Sequence, residues 1–366
     1  MPCTDWIPTL HRHTPGKRRS CPALRCLLAL ALVFCGWLPL GAQSQPAVAI
    51  NLMYATNRVP LDHDRKEAHF DNVPGALTVG TATVVVEPHI ESDTGSWPTV
   101  GNAALEPGWV ALEPFPKNNL AELADALALE RTDRTALVYV HGFMKSFEAA
   151  ARDLAGIVYG AGYQGVPIVF SWPAGSSPLG YADDTLRMNR SIPSLSAVLA
   201  ALSTTEHIEK IHLVAHSMGN QALLAVLTQM IRSDQAAHWK RGELILYAPD
   251  VDRATFMTET LPLLRESDFR PTLYVAAFDV PLMSSRVVNN GPRLGDADAG
   301  IAVAPGMDTV DATPVAKFLD RHNHHLTRGS QSDVELVLEG IPPADRPTLR
   351  AREGASGRYW EIIKAE

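Results

Sequence analysis

Val214-Ala215-His216-Ser217-Met218-Gly219-Asn220 stands where the apolar run Ile211 to Ala215 ends and the amphipathic stretch Gly219 to Ile231 begins. That change of period reads as a buried strand turning directly into a helix. The turn has the pattern small-x-Ser-x-Gly. Such a corner holds its serine in a strained backbone conformation, so the residues two before and two after it must be small for strand and helix to approach. Ala215 and Gly219 meet that need, with alanine where the pattern's first glycine usually stands. The plain alternative is a Ser217 that only caps the helix; the strand before it and the helix after it favour the corner.

Working outward, the chain from Asn118 alternates helix and buried strand. Asn119-Leu-Ala-Glu-Leu-Ala-Asp-Ala-Leu127 is an amphipathic helix capped by Asn119. There follow the strand Ala136 to Val140, a helix from Ser146 to Tyr159, the strand Pro167 to Phe170 and a helical stretch through Leu195 to Leu202. Beyond the corner come the strands Leu244 to Ala248 and Thr272 to Ala277. This alternation predicts the α/β class, a mostly parallel sheet with helices on both faces. Residues 118–366 therefore read as one domain without internal repeats. Pro178 to Pro193 reads as a connection that either borders a pocket or is simply solvated.

Ahead of that domain, Ala47 to Tyr54 and Leu77 to Val86 are β-prone and lack a helical partner. Residues 45–117 are thus expected to form a small N-terminal antiparallel β extension with loops, including a short strand near Trp109 to Leu112. Residues 1–44 differ in character. Basic Lys17, Arg18, Arg19 and Arg25 precede the apolar run Leu27 to Leu38, and Ala42-Gln43-Ser44 supplies the small residues that a signal peptidase needs. The expectation is a signal peptide cleaved after Ser44 and a periplasmic or secreted product. The alternative is an uncleaved anchor that touches the membrane only through this segment. Cys3, Cys21, Cys26 and Cys35 are the four cysteines, all within it, so the remainder is thiol-free as suits an oxidising compartment.

With 46% hydrophobic and 20% charged residues the chain reads as a folded globular protein, and its formal net charge of -8 leaves no excess positive field for phosphates. Nucleic acid is not an expected partner. No pattern in the sequence fixes an oligomeric state.

A nucleophilic Ser217 needs two backbone N–H groups aimed at the oxyanion. Met218 supplies one. The loop after the strand Ala136 to Val140, His141-Gly142-Phe143, supplies the other, assigned to Phe143 with Met144 as the near alternative. His141 precedes the nucleophile and is expected to be structural. In this class the catalytic members follow in the order Ser, Asp or Glu, His. Past the last clear strand only His322, His324 and His325 remain of thirteen histidines, which makes His322 the favoured base and His324 the second choice. A metal reading of His-x-His-His lacks further ligands at a recognisable spacing, and neither a metal nor another cofactor is expected. The acid should leave a later strand. Asp279 lies two strands beyond the nucleophile, where this architecture places it; Asp250 is the alternative, although it and Asp252 also read as loop caps.

These residues resemble the α/β-hydrolases and, within them, a bacterial esterase/lipase-like family long carried as a domain of unknown function. The likeness runs through Tyr54-Ala-Thr-Asn-Arg58, Val140-His-Gly-Phe143 with Ser146-Phe147, Phe170-Ser-Trp-Pro173, Ala215-His-Ser-Met-Gly-Asn220 and Ala248-Pro-Asp250. It continues in Ser285-Arg286, Gly291-Pro-Arg293, Gly295-Asp296 and Asp308-Thr-Val-Asp311. The resemblance implies an α/β-hydrolase fold and an aspartate at Asp279. Where the family's last histidine typically stands in Gly-His-Ser-Tyr, this chain has Arg321-His322-Asn323-His324, and the likeness carries the base to His322. The expected activity is cleavage of a small-molecule or lipid ester through an acyl-enzyme. An acyltransferase with the same nucleophile, or a non-catalytic envelope binding protein on a hydrolase scaffold, are the alternatives.

Overall fold

Along the strand β4 (Thr135–Val140) the side chains alternate between two cores, as the period of two in a pleated strand requires. Ala136, Val138 and Val140 join one buried cluster, and Leu137 and Tyr139 the other. A strand apolar on both faces needs helices on both sides, and the computed structural model supplies them. It describes residues 47–61, 69–86, 110–114, 119–235, 239–318 and 320–364. The export segment expected at residues 1–44 lies outside the described residues.

The other strands are β1 (Val48–Pro60), β2 (Phe70–Val86), β3 (Val110–Pro114), β5 (Val166–Ser171), β6 (Lys210–His216), β7 (Arg241–Tyr247), β8 (Pro271–Val275), β9 (Asp308–Asp311), β10 (Leu349–Gly354) and β11 (Gly357–Ile362). They form one sheet in the order β10-β11-β9-β8-β7-β6-β4-β5-β1-β2-β3. Pairings from β1 through β11 across the centre are parallel, while β1–β2, β2–β3 and β10–β11 are antiparallel. The helices are α1 (Leu120–Leu129), α2 (Phe147–Gly160), α3 (Tyr181–Ser203), α4 (Gly219–Arg232), α5 (Val280–Val288) and α6 (Arg328–Leu338), with a further helical stretch between Arg253 and Glu266. Buried residues of α1, α3 and α4 pack on one face, and those of α2 and α6 on the other.

The sheet order places the site. From β4 the chain leaves to β5 on one side and then returns to β6 on the other, so a crevice opens at the carboxyl ends of β4 and β6, where loops depart to opposite faces.

One expectation changes. The stretch Pro178 to Pro193 is largely helix: α3 begins at Tyr181 and runs through Pro193. Proline removes one N–H from the helix interior, but Met188, Ser191, Leu195, Val198, Leu199 and Leu202 form one buried stripe across it, and the Ser191 hydroxyl donates to the Arg187 carbonyl at 2.9 Å. Burial of that stripe outweighs the local break. The N-terminal β extension is antiparallel within itself, yet β1 also joins the main sheet in parallel beside β5, from Met53↔Ile168 to Thr56↔Ser171.

Candidate active site

Among the described residues seven non-glycine residues have positive φ, and three of them, Asp234, Asp268 and Asn290, are types that tolerate it. The other four are Met144 (58°), Ser217 (53°), Ala248 (39°) and Phe278 (58°). Each follows the carboxyl end of one of the adjacent strands β4, β6, β7 and β8. Strain of this kind costs about 1–3 kcal/mol per residue and persists only where the surroundings over-determine it. It therefore marks one locus at one end of the sheet.

At the corner after β6, the Ser217 N–H donates to the Tyr247 carbonyl at 3.0 Å, and the Asp250 and Asn220 N–H groups donate to the Ser217 carbonyl at 3.2 and 3.1 Å. The Asn220 amide adds bonds to the Ser217 and Tyr247 carbonyls at 3.0 and 3.2 Å. A Cβ at Gly219 would lie 2.5 Å from the carbonyl oxygens of Val140 and His141, so no larger residue lets α4 start this close to β4. The motif's small residue after the serine has a steric cause.

The loop after β4 lies against the same serine. A Cβ at Gly142 would lie 2.8 Å from Ser217 Cβ. His141 is fully buried and stacks on Trp172 with ring centroids 5.1 Å apart; its Nδ1–H donates to the Gly142 carbonyl at 2.8 Å, and its Nε2 lies 3.4 Å from the Ser171 hydroxyl, which can donate to it. Burial pushes its pKa down to about 3, so it is a neutral brace for the loop at working pH. The N–H groups of Phe143 and Met218 have no acceptor among the described residues; Met218 directly follows Ser217, and Phe143 directly follows Gly142, the loop residue that lies against Ser217. Burial raises the pKa of the Asp184 carboxyl, and the nearby Met144 N–H works against that rise. Phe143 packs against Tyr181 with ring centroids 5.9 Å apart.

Asp279 and His322 come together across more than forty residues of chain. His322 Nδ1 donates to both carboxylate oxygens of Asp279, at 2.9 and 2.8 Å. Asp279 is fully buried and also N-caps α5, accepting from the Leu282 N–H at 3.0 Å. The His322 side chain keeps 13% exposure, and with Nδ1 donating to Asp279 its Nε2 carries the lone pair. Its backbone is held next to the serine corner: His216 Nε2 donates to the His322 carbonyl at 3.0 Å, and the two rings lie 4.6 Å apart. Among the described residues Ser217 and His322 share no hydrogen bond, a looseness common in sites without substrate.

The alternatives have other occupations. Asp250 accepts from Arg293 Nε at 2.7 Å, Ser285 Oγ at 2.5 Å and Tyr181 OH at 2.8 Å, none of them a histidine. Asp252 caps the helical stretch at Arg253 through the Thr255 N–H at 2.8 Å. His324 is fully buried against Tyr247, ring centroids 5.7 Å apart, and burial lowers its pKa well below that of a free histidine. His325 is buried against His216, 4.1 Å between ring centroids, and lies 3.8 Å from Asp153. The three late histidines thus diverge, and among the described residues no group of three His, Cys, Asp or Glu is placed to hold a metal.

Sequence reading assigned no role to His216, Asn220, Tyr181 or Asp153. His216 and Asn220 stood inside the quoted motif, but only the folded corner shows what their side chains bond.

A search of the curated proteins finds no match. Solved structures that resemble the fold include a hyperthermophilic esterase from the archaeon Pyrobaculum calidifontis, 10% identical over 87% of this chain and 97% of that one, with a TM-score of 0.34. Carboxyl esterase 2 from the mycorrhizal fungus Tuber melanosporum is 11% identical over 85% and 95% of the two chains, with a TM-score of 0.33. A fungal esterase from Rhizomucor miehei is 11% identical over 87% and 90%, with a TM-score of 0.37. The model of a family described as alpha/beta hydrolase of unknown function (DUF900) matches residues 116–335, a span that contains Phe143, Ser217, Met218, Asp279 and His322, and the chain belongs to that family of alpha/beta hydrolases.

Proposed function

We propose that the protein is a serine hydrolase that cleaves carboxylic esters through an acyl-enzyme. The observation that carries this reading is the strained Ser217 with two unclaimed N–H groups, one from Met218 in its own corner and one from Phe143 in the adjacent loop, together with His322 held by Asp279 at 2.8 Å. Ser217 Oγ attacks the ester carbonyl while His322 Nε2 takes its proton, and the N–H groups of Met218 and Phe143 stabilise the oxyanion. Collapse of the tetrahedral intermediate passes that proton from His322 to the leaving alkoxide and releases the alcohol. Water then attacks the acyl-enzyme with His322 as base, and the carboxylic acid leaves as Ser217 regains its proton. Asp279 keeps the proton on Nδ1 and stabilises the imidazolium. The amino-terminal pattern supports export, so the proposed place of action is the periplasm or the cell exterior.

Initial rates across a chain-length series of nitrophenyl esters test the reading and define acyl preference. Ser217→Ala should lower kcat by about 10⁴- to 10⁶-fold. Undiminished hydrolysis by purified Ser217→Ala would refute it.

A further inference from the structure

Arg58 is fully buried, and among the described residues it forms no ion pair with a carboxylate. Burial lowers its pKa to about 10, which leaves it charged at neutral pH, with Glu148 and Asp184 acting on it at longer range. A buried cation without a direct counter-ion is expensive and persists where its nitrogens find acceptors. Here each of the three nitrogens donates one hydrogen bond. Nε donates to Ser171 Oγ at 2.9 Å, Nη1 to Asn72 Oδ1 at 2.6 Å, and Nη2 to the Lys145 carbonyl at 2.7 Å. Thr56 Oγ1, on the same strand, donates to the Ser171 carbonyl at 2.6 Å.

Lys145 is held at its other end too. Its ammonium lies 2.9 Å from Asp153 Oδ2 on α2, and that carboxylate also accepts from Tyr139 OH at 3.2 Å. Burial raises the Asp153 pKa and Lys145 lowers it, with a net result well below the ordinary carboxylate range. One residue is thus fixed by its carbonyl from β1 and by its side chain from α2. It directly follows Met144, whose φ of 58° needs such restraint, and Phe143 lies one residue earlier.

We propose that Arg58 is a positioning residue, acting with the Lys145–Asp153 pair to hold the strained Met144 turn so that the Phe143 N–H stays aimed at the oxyanion. This rests on Ser217 being the nucleophile. Arg58 touches no substrate. Its guanidinium sets the backbone that does, and lysine, lacking the planar fork, cannot reach Ser171, Asn72 and Lys145 together.

The test compares wild type with Arg58→Met, Arg58→Lys and Lys145→Met. Two quantities are measured: kcat and KM on a nitrophenyl ester, and affinity for an alkyl boronic acid, which forms a tetrahedral adduct on serine, relative to the product carboxylate. A displaced oxyanion donor lowers kcat and boronate affinity together, on the order of 10- to 10²-fold, with KM and carboxylate affinity within about threefold. Added guanidinium ion should restore part of the kcat of Arg58→Met at concentrations that leave wild type unchanged. If Arg58→Met fails to fold, Lys145→Met, which retains the buried cation, reads the same split. Boronate affinity within twofold of wild type in the folded variants overturns the proposal, as does a parallel loss of kcat, KM and carboxylate affinity. Ser217→Ala run alongside separates the two claims: if it hydrolyses like wild type, the nucleophile is misassigned, whereas if it is inactive and the clamp variants are unaffected, only the clamp fails.

Discussion

Asp250 and Asp279 follow adjacent parallel strands, β7 and β8, and both are buried, yet the fold uses them in opposite ways. Asp250 is saturated: Arg293, Ser285 and Tyr181 occupy its oxygens, and its backbone carbonyl accepts from Gln221 Nε2 at 2.7 Å and Arg293 Nη2 at 3.0 Å. Asp279 accepts one bond from its own helix and turns both oxygens to His322. An aspartate after a strand is a candidate acid only if no buried cation has already claimed it. Arg293 is that claim at Asp250, and its partner residue, 43 positions away, cannot be inferred from spacing.

The largest effect that would test this contrast is Asp279→Asn. The amide can no longer hold the Nδ1–H tautomer of His322, and kcat should fall by about 10⁴-fold with the protein still folded. A fall of less than tenfold would break the comparison. Asp250→Asn should behave in the reverse sense. It strands the Arg293 guanidinium in a buried site, so unfolding in urea should show a loss of about 3–5 kcal/mol, while kcat per folded molecule stays within about tenfold. A 10⁴-fold kcat loss at unchanged stability would make Asp250 the acid.

The same distinction separates the histidines, with a smaller effect for each. His322 keeps a carboxylate and a solvent edge, while burial holds His141 at about 3 and His212 at about 4 and lowers His216, His324 and His325. Below the ordinary histidine pKa of about 6.5 the unfolded chain binds protons that the folded chain refuses. Stability present at pH 7 is therefore lost as pH falls, by about 1.4 kcal/mol per pH unit for each such histidine until its folded pKa is reached. Thermal unfolding scans from pH 7.5 to pH 5 should show a falling Tm. A flat Tm would mean that these imidazoles already carry protons in the fold.

The parallel core and the serine corner were legible because they are local: a change of period, two small residues and a glycine loop state their own geometry. The order of chain elements likewise leads to Asp279 and His322. The segment before Ser191 was not legible, because Pro193 is a strong local breaker and the stripe that overrides it acts through packing. Neither was the hairpin β10–β11, whose Leu349 to Gly354 strand is exposed after its first residue and shows no apolar alternation. The role of Arg58 was hidden for a third reason. Its motif could be seen, but its contacts lie 14, 87 and 113 residues away, and only a folded chain brings them together.

The central claim is that a single hydroxyl is activated by the imidazole and carboxylate assembled around it. Reaction with a fluorophosphonate, followed by peptide mass spectrometry, addresses it directly. The account predicts one phosphonyl adduct, on the peptide containing Ser217, formed rapidly in wild type, far more slowly in Asp279→Asn and not at all in Ser217→Ala. An unlabelled folded protein, or an adduct on any other residue, would contradict it.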